Sequence, residues 1–131
     1  MKKLLSISLL IFVSIQFISC DDSITAKDVD NREIPDSNVS YSKDIAPIFE
    51  LKCVSCHGSG RLDAGLDLTV WSRFVDGRIV VPTEPDNSIL VWTIEWRPGF
   101  PAMPPPNFSV PLTAKQIRGV KTWIEEGAKN N

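Results

Sequence analysis

Histidine is the scarcest chemistry-bearing residue of this 131-residue chain, which has one His, two Met and three Cys. A single His excludes a metal site built from several histidines, and it excludes a pair of histidine ligands within one chain. Three Cys is an odd number, so at least one of them lies outside any internal disulfide. A formal net charge of −2 excludes a nucleic-acid binder that relies on a basic surface. The length predicts a single domain.

The first residues have the layout of an export signal. Met1-Lys2-Lys3 is basic, and residues 4–18 follow without a charge. This apolar run is about fifteen residues long, short of the roughly twenty that span a bilayer; an uncleaved anchor is the alternative. The run ends in Phe17-Ile18-Ser19-Cys20, which resembles a bacterial lipoprotein signal, although Leu is more usual at the position of Phe17. The resemblance implies acylation of Cys20 and a lipid anchor on a bacterial membrane, facing the periplasm or the exterior.

Charge is distributed unevenly along the rest of the chain. Residues 21–40 contain six acidic and two basic residues, no aromatic residue and scattered apolar ones, a composition that predicts a disordered tether. Residues 41–131 contain ten residues of each charge sign and all four Trp. We therefore expect a signal peptide at 1–19, a lipidated Cys with an acidic tether at 20–40, and one domain at 41–131.

Helical periodicity predicts four short helices in the domain, and no segment alternates as a strand would. The first helix is expected from a cap at Ser42 or Asp44 to about Cys53, with Pro47 in the first turn, where its missing N–H is not needed. Its predicted buried face consists of Ile45, Ile48, Phe49 and Lys52. Residues 97–111 contain six of the ten prolines and predict a stiff, irregular loop.

The other three helices are predicted from caps and apolar spacing. The second is expected over residues 70–75, capped by Thr69 and closed by Gly77. The third is capped by Asp86 or Asn87, with a predicted face of Ile89, Trp92 and Trp96. The fourth begins at a capping box and ends at Gly127. That box joins Thr113 to Gln116, and the stripe behind it is Ile117, Val120, Trp123 and Ile124.

The segment Cys53-Val54-Ser55-Cys56-His57 has the C-x-x-C-H spacing of c-type haem attachment. Two thiols separated by one helical turn can add to the two vinyl groups on one edge of the porphyrin, and His57 can then bind the iron from below. A chance match is the weakest alternative. A thioredoxin-like redox pair needs a βαβ pattern that is absent, and a zinc site needs a second Cys or His cluster. The sequence therefore predicts one covalent haem c, held by Cys53 and Cys56.

The sixth iron ligand follows by elimination. Met1 leaves with the signal, so Met103 is the remaining Met of the mature chain, in Pro101-Ala102-Met103-Pro104. Flanking prolines reduce the entropy lost when a loop is ordered at the far face of the haem. A Met and a His together raise the reduction potential and leave no open position, as electron transfer requires. The alternative is a packing role for Met103, with Lys or water as the sixth ligand.

With these motifs in order, the chain resembles a class I c-type cytochrome of the planctomycete type over about residues 41–128. The similar pieces are residues 44–49, 53–58, 65–68, 81–82, 85–90, 103–105, 112–113, 123–124 and 127–128. The resemblance implies an all-α fold of about four short helices around one covalent haem, with long loops. It also implies His57 below the iron, Met103 above it, and Phe49 in contact with Val120 and Trp123. Many class I cytochromes carry a Gly-Pro whose loop carbonyl orients the His; here that pair is absent after the motif, the sequence leaves the orienting group open, and the Val81-Pro82 region is one candidate.

Five further residues are candidates for the haem surroundings. Trp71, Trp92 and Trp96 are expected to wall the pocket or the core. Arg73 and Arg78 are candidates for pairing with the haem propionates, with a solvated surface position as the alternative.

The resulting functional hypothesis is an electron carrier rather than an enzyme. A lone His that binds iron leaves no Ser-His or Cys-His catalytic pair. The expected partners are a redox protein on each side of the transfer and the membrane, with no nucleic acid and no small-molecule substrate. The alternatives are a haem sensor or peroxidatic domain with a labile sixth position, and a docking module in which haem is structural.

Overall fold

The computed structural model describes residues 25–58 and 60–131 and is mostly helical. In this part of the chain five α-helices follow one another: α1 (Ala26–Asn31), α2 (Ala46–Lys52), α3 (Trp71–Phe74), α4 (Ile89–Ile94) and α5 (Ala114–Glu125). A π-helical turn, Tyr41–Ile45, leads into α2, and short 3₁₀ turns occupy Asp63–Gly65 and Pro85–Asn87. No helix among these residues is both long enough and apolar enough to cross a membrane. The expected signal peptide and Cys20 lie outside the described residues.

The buried face predicted for the first helix is confirmed, but its cap is different. Ile45, Ile48, Phe49 and Lys52 are all buried. The cap is Ser40, whose hydroxyl accepts a hydrogen bond from the Lys43 N–H at 3.3 Å. The Ser40 N–H in turn donates to the Asp44 carboxylate at 2.9 Å. Asp44 therefore lies within the first turn instead of capping it. The helical segment begins earlier than the sequence predicted.

Helix α5 forms as the sequence predicted and supplies one wall of the core. The Thr113 hydroxyl accepts from the Gln116 N–H at 3.2 Å, and the Gln116 amide oxygen accepts from the Thr113 N–H at 2.9 Å. Trp123 is 1% exposed, its ring stacks on Tyr41 with centroids 5.4 Å apart, and Phe49 meets it edge-on at 6.5 Å. The contact between Phe49 and Trp123 that the resemblance implied is therefore present.

Helix α3 is shorter than predicted, because its expected cap is used elsewhere. The helix begins at Trp71 without a side-chain cap. The Thr69 hydroxyl instead donates to the Asp67 carboxylate at 2.5 Å, which also accepts from the Thr69 N–H at 2.9 Å. These bonds hold the loop before α3 as a tight turn.

Helix α4 buries a different face from the predicted one. Its buried residues are Leu90, Val91, Thr93 and Ile94. The N-cap position is Ser88, whose hydroxyl accepts from the Val81 N–H at 2.9 Å and therefore secures the loop before the helix. Trp96 lies past the helix end with a φ of 55° and is 42% exposed, so a spacing of seven residues from Ile89 does not place it on the helix face.

Residues 25–40 are ordered and packed, which corrects the expectation of a disordered tether for this stretch. Helix α1 begins at a capping box between Thr25 and Asp28. Val29 and Val39 are 3% and 2% exposed. The stretch is acidic on average, but its few apolar side chains reach the core of the domain, and the burial of these side chains outweighs the polar composition around them.

The packed segment approaches α5 at a glycine. Gly119 is buried, and a Cβ placed on it would lie 2.7 Å from the Ile34 side chain. The absence of a side chain at Gly119 therefore allows Ile34 to rest on the helix. A surface ion pair between Glu33 and Lys115 lies beside this contact.

A minimal antiparallel pair of strands follows α2, although the sequence predicted none. Strand β1 (His57–Gly58) pairs with β2 (Arg61–Leu62), with His57 opposite Leu62 and Gly58 opposite Arg61. Two residues are too few to show an alternating pattern, so sequence periodicity could not reveal this pair.

Candidate functional site

One cavity of about 490 Å³ contains all four residues that the sequence predicted as haem ligands. Cys53, Cys56, His57 and Met103 line it, and each is half-buried. The volume lies within the range of small-molecule and cofactor pockets. The apolar part of the wall consists of Leu66, Leu68, Leu90, Ile94, Pro104, Pro105 and Phe108.

The cysteine segment continues α2 as tight turns. The Val54 N–H donates to the Phe49 carbonyl at 3.0 Å. The N–H groups of Cys56 and His57 both donate to the Cys53 carbonyl, at 3.1 and 2.9 Å. These turns bring the side chains at both ends of the motif to one cavity. Cys53 and Cys56 are free thiols rather than a disulfide, and burial raises the pKa of the Cys53 thiol to about 12.

The His57 ring is oriented by the backbone of a loop that follows it closely. Its Nδ1 lies 3.0 Å from the Asp63 carbonyl oxygen. A carbonyl oxygen only accepts, so Nδ1 carries the proton and Nε2 retains the lone pair that a metal requires. The Asp63 N–H donates to the Cys56 carbonyl at 3.0 Å, which keeps the loop against the cysteine turn. The orienting carbonyl is therefore that of Asp63 and not one near Val81.

An arginine at the cavity wall also holds Asp63. The Arg61 guanidinium donates twice to the Asp63 carboxylate, at 2.9 and 2.7 Å. This fork holds the pKa of the Asp63 carboxyl below its ordinary value. Sequence reasoning missed Arg61, because nothing in an isolated Arg indicates that the chain will fold back beside the His.

The loop that carries Met103 is fixed at that residue by two bonds. The Met103 N–H donates to the Thr93 carbonyl at 3.0 Å, and the Trp96 indole N–H donates to the Met103 carbonyl at 3.2 Å. Both partners lie on or just after α4. The proline-rich loop thus crosses the cavity wall as the sequence predicted, although the role of the sulfur as a ligand is a proposal taken up below.

Lys52 is a cavity residue that sequence reasoning placed on a helix face but did not link to the site. It is the last residue of α2 and lines the cavity beside Cys53. Its amine forms an ion pair with Asp30 at 2.8 Å. In the sequence, only the position directly before Cys53 indicates that Lys52 belongs to the site.

The tryptophans lie outside the cavity, contrary to one of the two expectations for them. No Trp is among the described residues that line it. Trp71 packs against the core and its indole donates to the Ala128 carbonyl at 2.9 Å. Trp92 packs against Phe100 with ring centroids 4.7 Å apart. These residues stabilise the surrounding structure.

The two arginines predicted as candidates for propionate pairing also lie elsewhere. Arg73 pairs with the Asp67 carboxylate, and Arg78 is exposed. Neither lines the cavity, whereas Arg61 does. Arg78 therefore occupies an exposed position, and Arg73 has a partner within its own loop.

The residues present fit a covalently attached haem. Two unpaired thiols and a Nδ1-protonated imidazole face one apolar cavity, which matches the chemistry of thioether formation and axial ligation. A zinc site does not fit, because no group of three or more His, Cys, Asp or Glu side chains in residues 25–58 and 60–131 is placed to hold a metal ion.

A comparison with protein-family models gives a match within the domain. Residues 53–107 match the model of the family described as Planctomycete cytochrome C. The match begins at the first Cys of the motif and extends past Met103. No curated protein and no solved structure matches the chain.

Proposed function

We propose that the protein is a membrane-tethered monohaem c-type cytochrome that carries single electrons between redox partners outside the cytoplasm, because residues 53–107 match the planctomycete cytochrome C family. The observation that carries this proposal is the convergence of Cys53, Cys56, His57 and Met103 on one apolar cavity. These residues span the matched segment, so the site and the family agree.

Each of the four residues has a defined task in this proposal. Cys53 and Cys56 would hold the haem through thioether bonds to its two vinyl groups. His57 would bind the iron through Nε2, because its Nδ1 proton is engaged by Asp63. Met103 would supply the other protein ligand to the iron through its sulfur. When bound, haem supplies an iron centre that gains and loses one electron.

The same arrangement favours transfer over catalysis. A cavity closed by His57 and Met103 offers no free position for a small ligand. The chain contains a single His, and that residue is used as the proximal ligand, so no acid–base pair based on His is left. Apolar walls limit the solvent reorganisation that accompanies a change in iron charge.

The cellular setting is proposed from the N-terminal sequence. Signal cleavage after residue 19 and acylation of Cys20 would leave the domain on the outer side of a bacterial membrane, where haem attachment in bacteria takes place. Partners there are a donor and an acceptor protein, of the reductase and oxidase classes.

The direct test is expression with haem-attachment machinery, followed by redox-titrated visible spectra of the wild type and Met103→Ala. We expect covalent haem, a low-spin reduced spectrum, and the weak far-red absorption of ferric iron bonded to a thioether sulfur. The variant should lose that absorption, and its reduction potential should fall by something on the order of 0.1 V, a fraction of the about 0.8 V that axial ligands span.

Other outcomes would point to other functions. A high-spin ferric spectrum with fast carbon monoxide binding to the reduced form would indicate a haem sensor or peroxidatic domain. A normal spectrum without electron exchange with a purified reductase or oxidase would indicate a docking module in which the haem is structural.

A further inference from the structure

Lys52 places a cationic amine in the wall of the haem cavity. Its side chain is 3% exposed. A charge removed from water is unfavourable unless a partner charge and hydrogen bonds replace the lost hydration. The hydrogen-bond acceptors around the Lys52 amine therefore indicate which parts of the chain it holds together.

The amine has one acceptor for each of its three N–H groups. The Asp30 carboxylate lies 2.8 Å away, the Pro111 carbonyl 3.1 Å and the Val110 carbonyl 3.4 Å. Asp30 is itself held by the Gln116 amide, which donates to it at 3.1 Å. The Lys52 amine thus joins α2, the segment that contains α1, and the chain just before α5.

Val110 and Pro111 form the C-terminal end of the loop that carries Met103. The other end of this loop is fixed at Met103, through Thr93 and Trp96. Between the two ends, the N–H groups of Phe108 and Ser109 donate to the Pro105 carbonyl, which is a local turn. Lys52 therefore adds hydrogen bonds to both carbonyls at the far end of the loop, where the chain continues into buried Leu112 and α5.

We infer that Lys52 is a positioning residue for Met103: it fastens the 103–111 loop to Asp30 and so keeps the Met103 sulfur at the cavity. The inference rests on the proposed function, in which Met103 is the sixth iron ligand. It makes the segment that contains α1 a part of the haem site, connected to the loop through one buried amine.

The test is imidazole binding to the ferric holoprotein, because imidazole must displace Met103 to reach the iron. Lys52→Leu keeps an apolar side chain, removes all three N–H bonds and introduces no group that can bind iron. We expect it to bind imidazole roughly tenfold more tightly than the wild type, the effect of losing one charge-assisted hydrogen bond. The far-red absorption should weaken in parallel.

A second variant tests the same inference if Lys52→Leu fails to take up haem. Asp30→Asn retains an acceptor for the amine but removes the opposing charge, so the increase in imidazole affinity should be smaller and in the same direction. The matched control is Lys115→Leu. Lys115 pairs with Glu33 on the same N-terminal segment but makes no bond to the loop, so imidazole affinity should stay within about twofold of the wild type.

Three results would overturn the inference. Unchanged imidazole affinity in Lys52→Leu and Asp30→Asn, with the far-red absorption intact, would overturn the positioning role alone. An equal increase in Lys115→Leu would show a general loosening of the segment instead. A wild type without that absorption would contradict Met103 ligation, and with it the proposed function itself.

Discussion

The Asp63 carbonyl oxygen lies 3.0 Å from His57 Nδ1, and the two residues are only six positions apart. The β1–β2 pair between them reverses the chain, and the Arg61 fork fixes Asp63 from its other side. A short loop therefore gives the His57 ring both its tautomer and its direction. The sequence contains the residues of this loop, but the fold determines which backbone carbonyl accepts the hydrogen bond from His57.

Single removal of either cysteine should leave haem attached by one bond. In Cys53→Ala or Cys56→Ala, one vinyl group stays unsaturated and conjugated with the porphyrin. The main visible band of the reduced, pyridine-treated haem should therefore move to longer wavelength than in the wild type. Ser55→Ala, inside the same motif, should leave the band where it is; a shift in that variant, or none in the Cys variants, would contradict the assignment.

A methyl group at Gly58 should disturb the loop that holds His57. A Cβ there would lie 2.5 Å from Thr69 Cγ2, so Gly58→Ala should lower the free energy of unfolding by about 1–3 kcal/mol. Thr69→Ser removes that Cγ2 and keeps the hydroxyl that donates to Asp67. Urea unfolding of the double variant should recover most of the loss. Additive losses would show that the crowding is not the cause.

The aromatic core should respond strongly to truncation at Phe49. The ring is 1% exposed and meets Phe74 and Trp123 edge-on, so Phe49→Ala should cost about 3–5 kcal/mol of unfolding free energy. Phe100 is 41% exposed and packs on Trp92, and Phe100→Ala should cost about 1 kcal/mol. Similar losses in the two variants, measured by urea unfolding, would contradict the core assignment.

Stability should depend on acid through Asp30. The Lys52 amine holds the pKa of the Asp30 carboxyl below its ordinary value. A lowered folded-state pKa contributes stability that is present above the unfolded-state value of about 3.9 and is lost as the pH falls through the folded-state pKa. Asp30→Asn should therefore be about 1–2 kcal/mol less stable than the wild type at neutral pH, and the difference should shrink below about pH 4.

The control for this pH dependence is Asp36→Asn. Asp36 lies 3.7 Å from Arg118 and its side chain is 91% exposed, so the pair contributes little. Unfolding free energies measured from about pH 3 to 7 should differ from those of the wild type by less than about 0.5 kcal/mol. A constant Asp30→Asn difference across that range would contradict the charge-pair explanation.

The features that sequence reasoning predicted correctly depend on short-range chemistry. The Thr113–Gln116 box and the stripe ending at Trp123 form as predicted, because caps and helical spacing act within a few residues. The meeting of His57 and Met103 at one cavity was predicted from ligand scarcity, and the structure brings both to its wall. Ligation of an iron by His57 and Met103 stays a prediction, which the visible spectra of the holoprotein test.

The features that were missed depend on contacts between distant parts of the chain. Trp96 follows helical spacing from Ile89, but the chain leaves the helix before reaching it. The segment from Thr25 is acidic, and its average composition gave no sign of the few apolar residues that dock. One signal was available: Gly119 in the middle of a predicted helix, a position where Gly weakens a helix unless something packs closely against it.

If Cys20 carries a lipid, as we propose, the docking of residues 25–40 limits how far the domain can reach from the membrane. With Cys20 as the lipid-bearing residue we propose, only residues 21–24 separate the anchor from Thr25. Five residue steps extend to roughly 18 Å at most, whereas a free chain up to Tyr41 would extend to roughly 70 Å. A domain of this size then stays beside the lipid headgroups instead of swinging between distant partners. Electrons would travel by lateral diffusion of the whole molecule in the plane of the membrane, and its partners should present their redox centres close to that plane.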